Sequence, residues 1–233
     1  MSLMVGALAK DSAPSDTLSE RAAARVQKDI LAGRLAPGTR LGIVELAERY
    51  DIGATPLREG LSRLVSRGLI VAIGQRGFRV APVSREDLLD ITQTRVVIEA
   101  EALRLSIKHG EDTWEAGIMT ALHRLRRYTE RTGARFKEGA DEFDPLHKGF
   151  HTSLLAACGS QRLLAAHSDL YDQAYRYRRV MMRGIASGEQ FYEAHRKLAD
   201  LVLARETRAA QRMLSDHLHS TVRYVYPDGR EAS

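Results

Sequence analysis

Four histidines stand out by type and spacing. His147 and His151 lie four residues apart, which puts two imidazoles on one side of a helix, and His195 and His217 follow on two later helical stretches. Neutral imidazole suits zinc, nickel, copper or iron, and zinc is the expected occupant, with nickel as the alternative. Asp144, one turn before His147, could add a carboxylate or orient His147 through a hydrogen bond. Arg95 and Arg176 offer planar forks that could clamp a carboxylate, although Arg95 also has Glu99 one turn on as a partner within its own helix. This chemistry is binding rather than turnover. The chain has no His-Glu-x-x-His motif and no obvious general base beyond Glu193, so a metal-dependent hydrolase is the remote alternative. A metal-free pocket, holding an organic ligand through Arg95, Arg176 and neutral histidines, is the nearer one. His109, His123, His167 and His219 read as surface residues. Tyr171, Tyr175 and Tyr177 read as packing residues with wet hydroxyl edges, and Met181 and Met182 as core or helix-end packing.

A second set of side chains lies around Glu45–Gly68. A short helix over about 44–50 is followed by a turn at Asp51-Ile52-Gly53-Ala54, where Gly53 can take a positive φ. Thr55 is a good N-cap, and Pro56 at the first helical position costs nothing there. Leu57, Leu61, Leu64 and Val65 then form one apolar stripe, and Gly68 stops the helix. The opposite face carries Arg58, Ser62, Arg63 and Arg67. Such a helix-turn-helix places its second helix in the major groove, where Arg58 can meet a base edge or a phosphate. Two β-rich runs, Leu69–Ile73 and Phe78–Val83, flank the four-residue loop Gly74-Gln75-Arg76-Gly77, so a wing follows, with Arg76 at its tip. The candidate DNA contacts are Arg40, Arg49, Thr55, Arg58, Arg63 and Arg76.

The stretch IlAGrLaPGtrL…eLAeRY…TPLREgLsRL…GLi…RGFrV resembles the winged-helix domain of the GntR family of bacterial transcription regulators. One departure is that Gly53-Ala54 stands where the family usually shows Ser-Arg, whose arginine commonly contacts DNA. The resemblance therefore implies that Arg40, Arg49 or Arg58 supplies the contact, or that the operator differs. Farther on, Arg95-Val-Val-Ile-Glu99, Phe150-His151, Ala157-Cys-Gly-Ser160, Glu193-Ala-His195-Arg and His217-Leu218 resemble the all-helical FCD effector domain of the FadR-type branch. That resemblance implies a divalent metal held by three histidines and an aspartate. His151, His195 and His217 match the histidine positions, and His147 stands at the aspartate position, the second departure. Four neutral imidazoles leave a divalent site near +2 rather than +1, which favours an anionic effector completing the coordination. HKGFHTSLLAACGS and LYDQAYRYRR resemble members tied to catabolism of small dicarboxylates, glutarate among them.

The elements that must position these groups follow from the rest of the chain. With 233 residues, 44% of them apolar, two domains are expected. The expected fold is mainly α: an N-terminal winged helix-turn-helix of three helices and a small hairpin, then an all-α bundle of roughly six helices. The expected division is a mobile arm at 1–15, the DNA-binding domain at 16–82, the effector, metal-binding and dimerisation domain at 83–226, and a tail at 227–233. No β pattern appears after Val83. Net charge is +5, of which residues 1–82 carry +4, as a phosphate-binding module needs. The one cysteine, Cys158, excludes an internal disulfide framework and fits a reducing cytoplasm. No apolar run is long enough to span a membrane. The sum of these readings is a cytoplasmic, homodimeric repressor or activator that binds an operator under control of a small carboxylate.

Overall fold

The computed structural model describes residues 17–74, 77–137, 140–181 and 187–227. The arm and most of the tail, Arg76 at the wing tip and the Met181-Met182 side chains lie outside the described residues. Helix α1 (Leu18–Leu31) opens on a capping box: Glu20 N–H donates to Thr17 Oγ1 at 3.2 Å and Thr17 N–H to Glu20 Oε2 at 2.8 Å. Its face of Ala22, Val26 and Ile30 packs on Leu57, Leu61 and Leu64 of α3 (Ala54–Ser66), with Leu46 of α2 (Ile43–Tyr50) alongside. Three short strands complete the domain. β1 (Arg40–Leu41), which the sequence reading did not anticipate, pairs antiparallel with β3 (Phe78–Val80), and β3 with β2 (Ile70–Ala72), in the order β1-β3-β2.

The turn between α2 and α3 differs from expectation. Asp51, not Gly53, takes the left-handed conformation (φ 52°), while Gly53 is extended at φ −58° and caps α3 through its backbone. Thr55 is thus inside the first turn rather than at the N-cap, and Pro56 is the third helical residue rather than the first. Asp tolerates the left-handed region better than most residues, which leaves the glycine free for the cap. Arg67 is the second correction. It closes α3 as the C-cap, partly buried, and turns toward the helical half instead of toward DNA.

The helical half contains α4 (Arg85–His109), α5 (Asp112–Thr132), α6 (Asp144–Leu155), α7 (Gln161–Met181), α8 (Gly188–Leu203) and α9 (Thr207–Val225). Ser84 caps α4 by accepting from Asp87 N–H. Helix α4 packs on α7 and α9, and α5 on α6 and α8. Ile118, Leu125, Phe150, Leu154, Leu198, Val202 and Leu214 form the apolar centre. No helix among the described residues is long and apolar enough to cross a membrane.

Candidate functional site

The bundle brings His147 and His151 of α6, His195 of α8 and His217 of α9 into one cluster, with one nitrogen of each within 4.8 Å of the others. His147 Nε2 lies 3.0 Å from His151 Nε2 and 2.9 Å from His195 Nε2. His195 Nδ1–H donates to the Phe191 carbonyl at 2.7 Å. A carbonyl only accepts, so the proton sits on Nδ1 and the lone pair of Nε2 faces the cluster. His151 Nδ1 is buried with no hydrogen-bond partner among the described residues. His147, His151 and His195 are almost fully buried and His217 partly so. Burial holds all four imidazoles below the ordinary histidine range, His195 at about 4, and their mutual repulsion lowers His147, His151 and His217 further. They are therefore neutral imidazoles whose ring nitrogens converge on one point, and such a donor set fits a borderline divalent cation.

The cluster has an apolar side and a polar side. On the first, Phe143 stacks on His147 and Phe191 on His195, with centroids 5.6 and 4.0 Å apart, and Phe150 meets His195 edge-on. On the second stands Tyr171, 5.9 Å from the His147 ring, whose hydroxyl donates to Asp144 at 3.2 Å. Burial pushes the Asp144 carboxyl up to about 6 against the pull of Arg178 and Tyr171. Asp144 is not one of the residues whose donor atoms converge. Arg178 and Arg95 lie 4.8 and 5.4 Å from the Tyr171 ring centre. Arg95 Nε pairs with Glu99 at 2.7 Å, and His167 Nδ1 lies 3.1 Å from the same carboxylate. Burial raises the Glu99 carboxyl, but Arg95 and His167 together hold it below its ordinary value.

Several expectations need correction here. Arg176 is turned away from the cluster and donates to the Ala81 carbonyl at 2.9 Å, at the junction of the two halves. Arg178 takes the place expected of it. Tyr171 and Arg178 are seven residues apart on α7 and share a face, whereas Arg176 is rotated off it. That spacing selects Arg178 only once Tyr171 is known to face the histidine rings. His167 is fully buried, not a surface residue. Tyr171, Tyr175 and Tyr177 are buried, and their hydroxyls are not at a wet edge: Tyr171 bonds Asp144, Tyr177 bonds Asp87, and the Tyr175 hydroxyl is buried with no hydrogen-bond partner among the described residues.

At the other end of the chain, Thr55, Arg58, Ser62 and Arg63 form the exposed face of α3. Arg63 lies 3.7 Å from Glu20. Arg40 is exposed on β1, and Arg49 is exposed while pairing with Asp29 at 2.9 Å. An exposed α3 flanked by a three-stranded sheet is the arrangement that enters a major groove.

The sequence profile described as "Bacterial regulatory proteins, gntR family" matches residues 18–80, and that described as "FCD domain" matches residues 90–220. The chain belongs to the gntR family of bacterial regulatory proteins. It is 38% identical to the HTH-type transcriptional repressor GlaR of Escherichia coli over 197 residues, covering 83% of this chain and 89% of GlaR. It is 36% identical over 209 residues to the HTH-type transcriptional regulator BphR of Paraburkholderia xenovorans, covering 90% and 85%. The solved structure of E. coli McbR/YncC shares the fold with a TM-score of 0.77 at 19% identity, covering 93% of this chain and all of that one. As a GntR protein with an FCD domain, this chain is a DNA-binding transcriptional regulator and not an enzyme.

Proposed function

We propose that this regulator is a homodimeric repressor whose operator affinity is set by a small organic acid, a dicarboxylate, bound beside a zinc- or nickel-loaded histidine cluster. The observation that carries the reading is the convergence of His147, His151, His195 and His217 on one point. A metal there would supply a positive charge to which a carboxylate binds. The protein's own groups do the rest. His195 is fixed in tautomer by Phe191. Phe143 and Phe191 keep water from one side of the cluster. Arg95 and Arg178 add cationic charge on the other, where a second carboxylate would lie. Asp144, tied to Tyr171, fits an outer position better than a ligand position. Repression is proposed because the relative GlaR is a repressor by name. Two-fold pairing is proposed because paired reading helices suit a near-palindromic site. On this reading residues 16–82 bind DNA, through Arg40, Arg49, Thr55, Arg58 and Arg63, and residues 83–226 bind metal and effector. Arg76 remains a candidate contact from sequence alone.

The test is metal analysis of protein purified without a histidine tag, followed by operator gel shifts with and without glutarate. Near-unit zinc or nickel, lost in His195→Ala, and a glutarate-dependent shift are the expected results. A second reading keeps the DNA binding but has no metal. The 2.9 and 3.0 Å nitrogen contacts favour it, because they are hydrogen-bond lengths that imidazoles can satisfy among themselves. Metal-free protein that still responds to glutarate would select that reading.

A further inference from the structure

Between the two functional regions lies a buried polar knot that neither requires. Asp172 of α7 is its centre, with a side chain only 2% exposed. Asp172 Oδ1 accepts from Lys148 Nζ at 2.5 Å, and Oδ2 accepts from Gln27 Nε2 at 2.7 Å. Oδ2 also lies 3.6 Å from the Arg67 guanidinium. Arg67, the C-cap of α3, bonds Asp169 at 2.6 Å and Gln27 Oε1 at 2.7 Å, and its carbonyl accepts from Gln173 Nε2 at 3.0 Å. Four elements thus meet at one carboxylate: α1, the end of the DNA-reading helix, the helix that carries two of the clustered histidines, and α7. The connections are short. Lys148 follows His147 directly, and Tyr171, which touches the histidine rings, precedes Asp172. The halves are also packed tightly here, since a Cβ on Gly68 would fall 2.7 Å from Gln173 Nε2.

We infer that Asp172 is the residue through which occupancy of the histidine cluster reaches the DNA-reading helix. The inference rests on the reading of that cluster as a ligand site. A buried carboxylate cannot lose a cationic partner cheaply, so its partners move with it rather than letting go. A ligand held by His147 and His151 together with His195 and His217 draws α6 toward α8 and α9 and shifts the α6 turn that bears Lys148. Asp172 follows Lys148, and Gln27 and Arg67 follow Asp172, which re-aims α3. Asp172 is a positioning residue: it meets neither ligand nor DNA. Coupling of this kind requires a ligand that favours one arrangement of the halves over the other.

The experiment is hydrogen exchange by mass spectrometry on the full chain, with zinc(II) as the probe. In the parent, zinc slows exchange in both the α6 segment, 144–155, and the α3 segment, 54–66. In Asp172→Asn, zinc affinity stays within about threefold of the parent and α6 still responds, but α3 stays within about 1.5-fold of its zinc-free rate. Lys148→Met, which keeps the carboxylate and Arg67 paired, gives the same loss at α3 and stands in if Asp172→Asn does not fold. An α3 response undiminished in both variants overturns the inference. So does a parent in which zinc slows α6 and leaves α3 unchanged, and in that case the ligand site itself survives. Zinc without effect on α6 in the parent removes the metal reading, and the coupling with it.

Discussion

The two halves of this regulator use burial in opposite ways. In the winged half the core is apolar, and Ser19 and Asp29 are the only buried polar residues among those described. Its candidate contacts, Thr55, Arg58 and Arg63, stand in water on a scaffold that does not need them. The bundle instead buries Arg95, Glu99, His147, His151, His167, Asp172, Arg176, Arg178 and His195. There the groups that would bind are also groups on which packing depends. Function and stability should separate cleanly in the first half and travel together in the second.

Acid offers the strongest way to break the contrast. The four clustered histidines have folded pKa values below the ordinary 6.5, so the unfolded chain binds more protons as pH falls. The stability they lend is whole above pH 6.5 and is lost as pH falls toward the folded values, about 4 for His195. Each contributes a slope of up to ~1.4 kcal/mol per pH unit within that window. Residues 17–82 contain no histidine. The bundle should therefore unfold first on acidification, between about pH 6.5 and 4, while the winged half persists. Trp114, the sole tryptophan, lies in the bundle core and reports that half alone. Urea midpoints followed by its fluorescence at a series of pH values check this. A flat midpoint from pH 7 to 5 would contradict it.

Glu99→Gln comes next. It leaves Arg95 and His167 buried without their carboxylate, and breaking such a pair costs about 3–5 kcal/mol. Glu193→Gln removes a partner of Arg196 at an exposed site, and the melting midpoint should not move. Similar losses in the two variants would show that the polar interior of the bundle is wetter than its burial implies.

Arg58→Ala sharpens the other side of the comparison. Its effect belongs to DNA alone: about 1–3 kcal/mol in operator affinity, with the melting temperature unchanged. If Arg58 meets a phosphate, the loss is uniform across sequences and the salt slope falls by about one; if it meets a base, discrimination at one position relaxes. Fluorescence anisotropy at several salt concentrations separates the two.

The same contrast explains what the sequence made legible. The helix-turn-helix is written in neighbouring residues, because its apolar stripe and its exposed face alternate within thirteen positions of one helix. The histidine pair of α6 was legible for the same reason, while its meeting with His195 and His217 was expected from resemblance to a family. What escaped depends on packing between distant segments. Arg67 reads as one more arginine on an exposed face until α7 brings Asp169 beside it. His167 reads as a surface residue until α4 places Glu99 against it. The choice between Arg176 and Arg178 needs the rotation of α7, which Ala81 and Tyr171 reveal from opposite sides.

Two glycines of α3 carry the comparison down to a single helix. Gly60 faces α1, and a Cβ there would lie 2.8 Å from the Ser19 carbonyl oxygen and 2.9 Å from Ala23 N. Backbone atoms cannot rotate aside, so Gly60→Ala should force the helices apart and cost about 1–3 kcal/mol of stability. Gly53 caps the same helix at φ −58° and ψ 154°, a conformation open to any residue, and among the described residues a Cβ would meet only the Pro56 ring, Cδ at 3.6 Å and Cγ at 3.7 Å, ordinary contacts. No side chain caps this end now, so Gly53→Ser adds an acceptor for the Thr55 N–H, Pro56 having none, and removes freedom from the unfolded chain. The gain should be a few tenths of a kcal/mol, about 1 °C in melting temperature. Because Gly53 stands next to the exposed Thr55 face, the same variant read by operator anisotropy shows whether a side chain here helps or obstructs DNA docking. A loss of stability in Gly53→Ser would mean that the turn is tighter than its backbone angles imply, and that the winged half also carries a constraint its surface does not show.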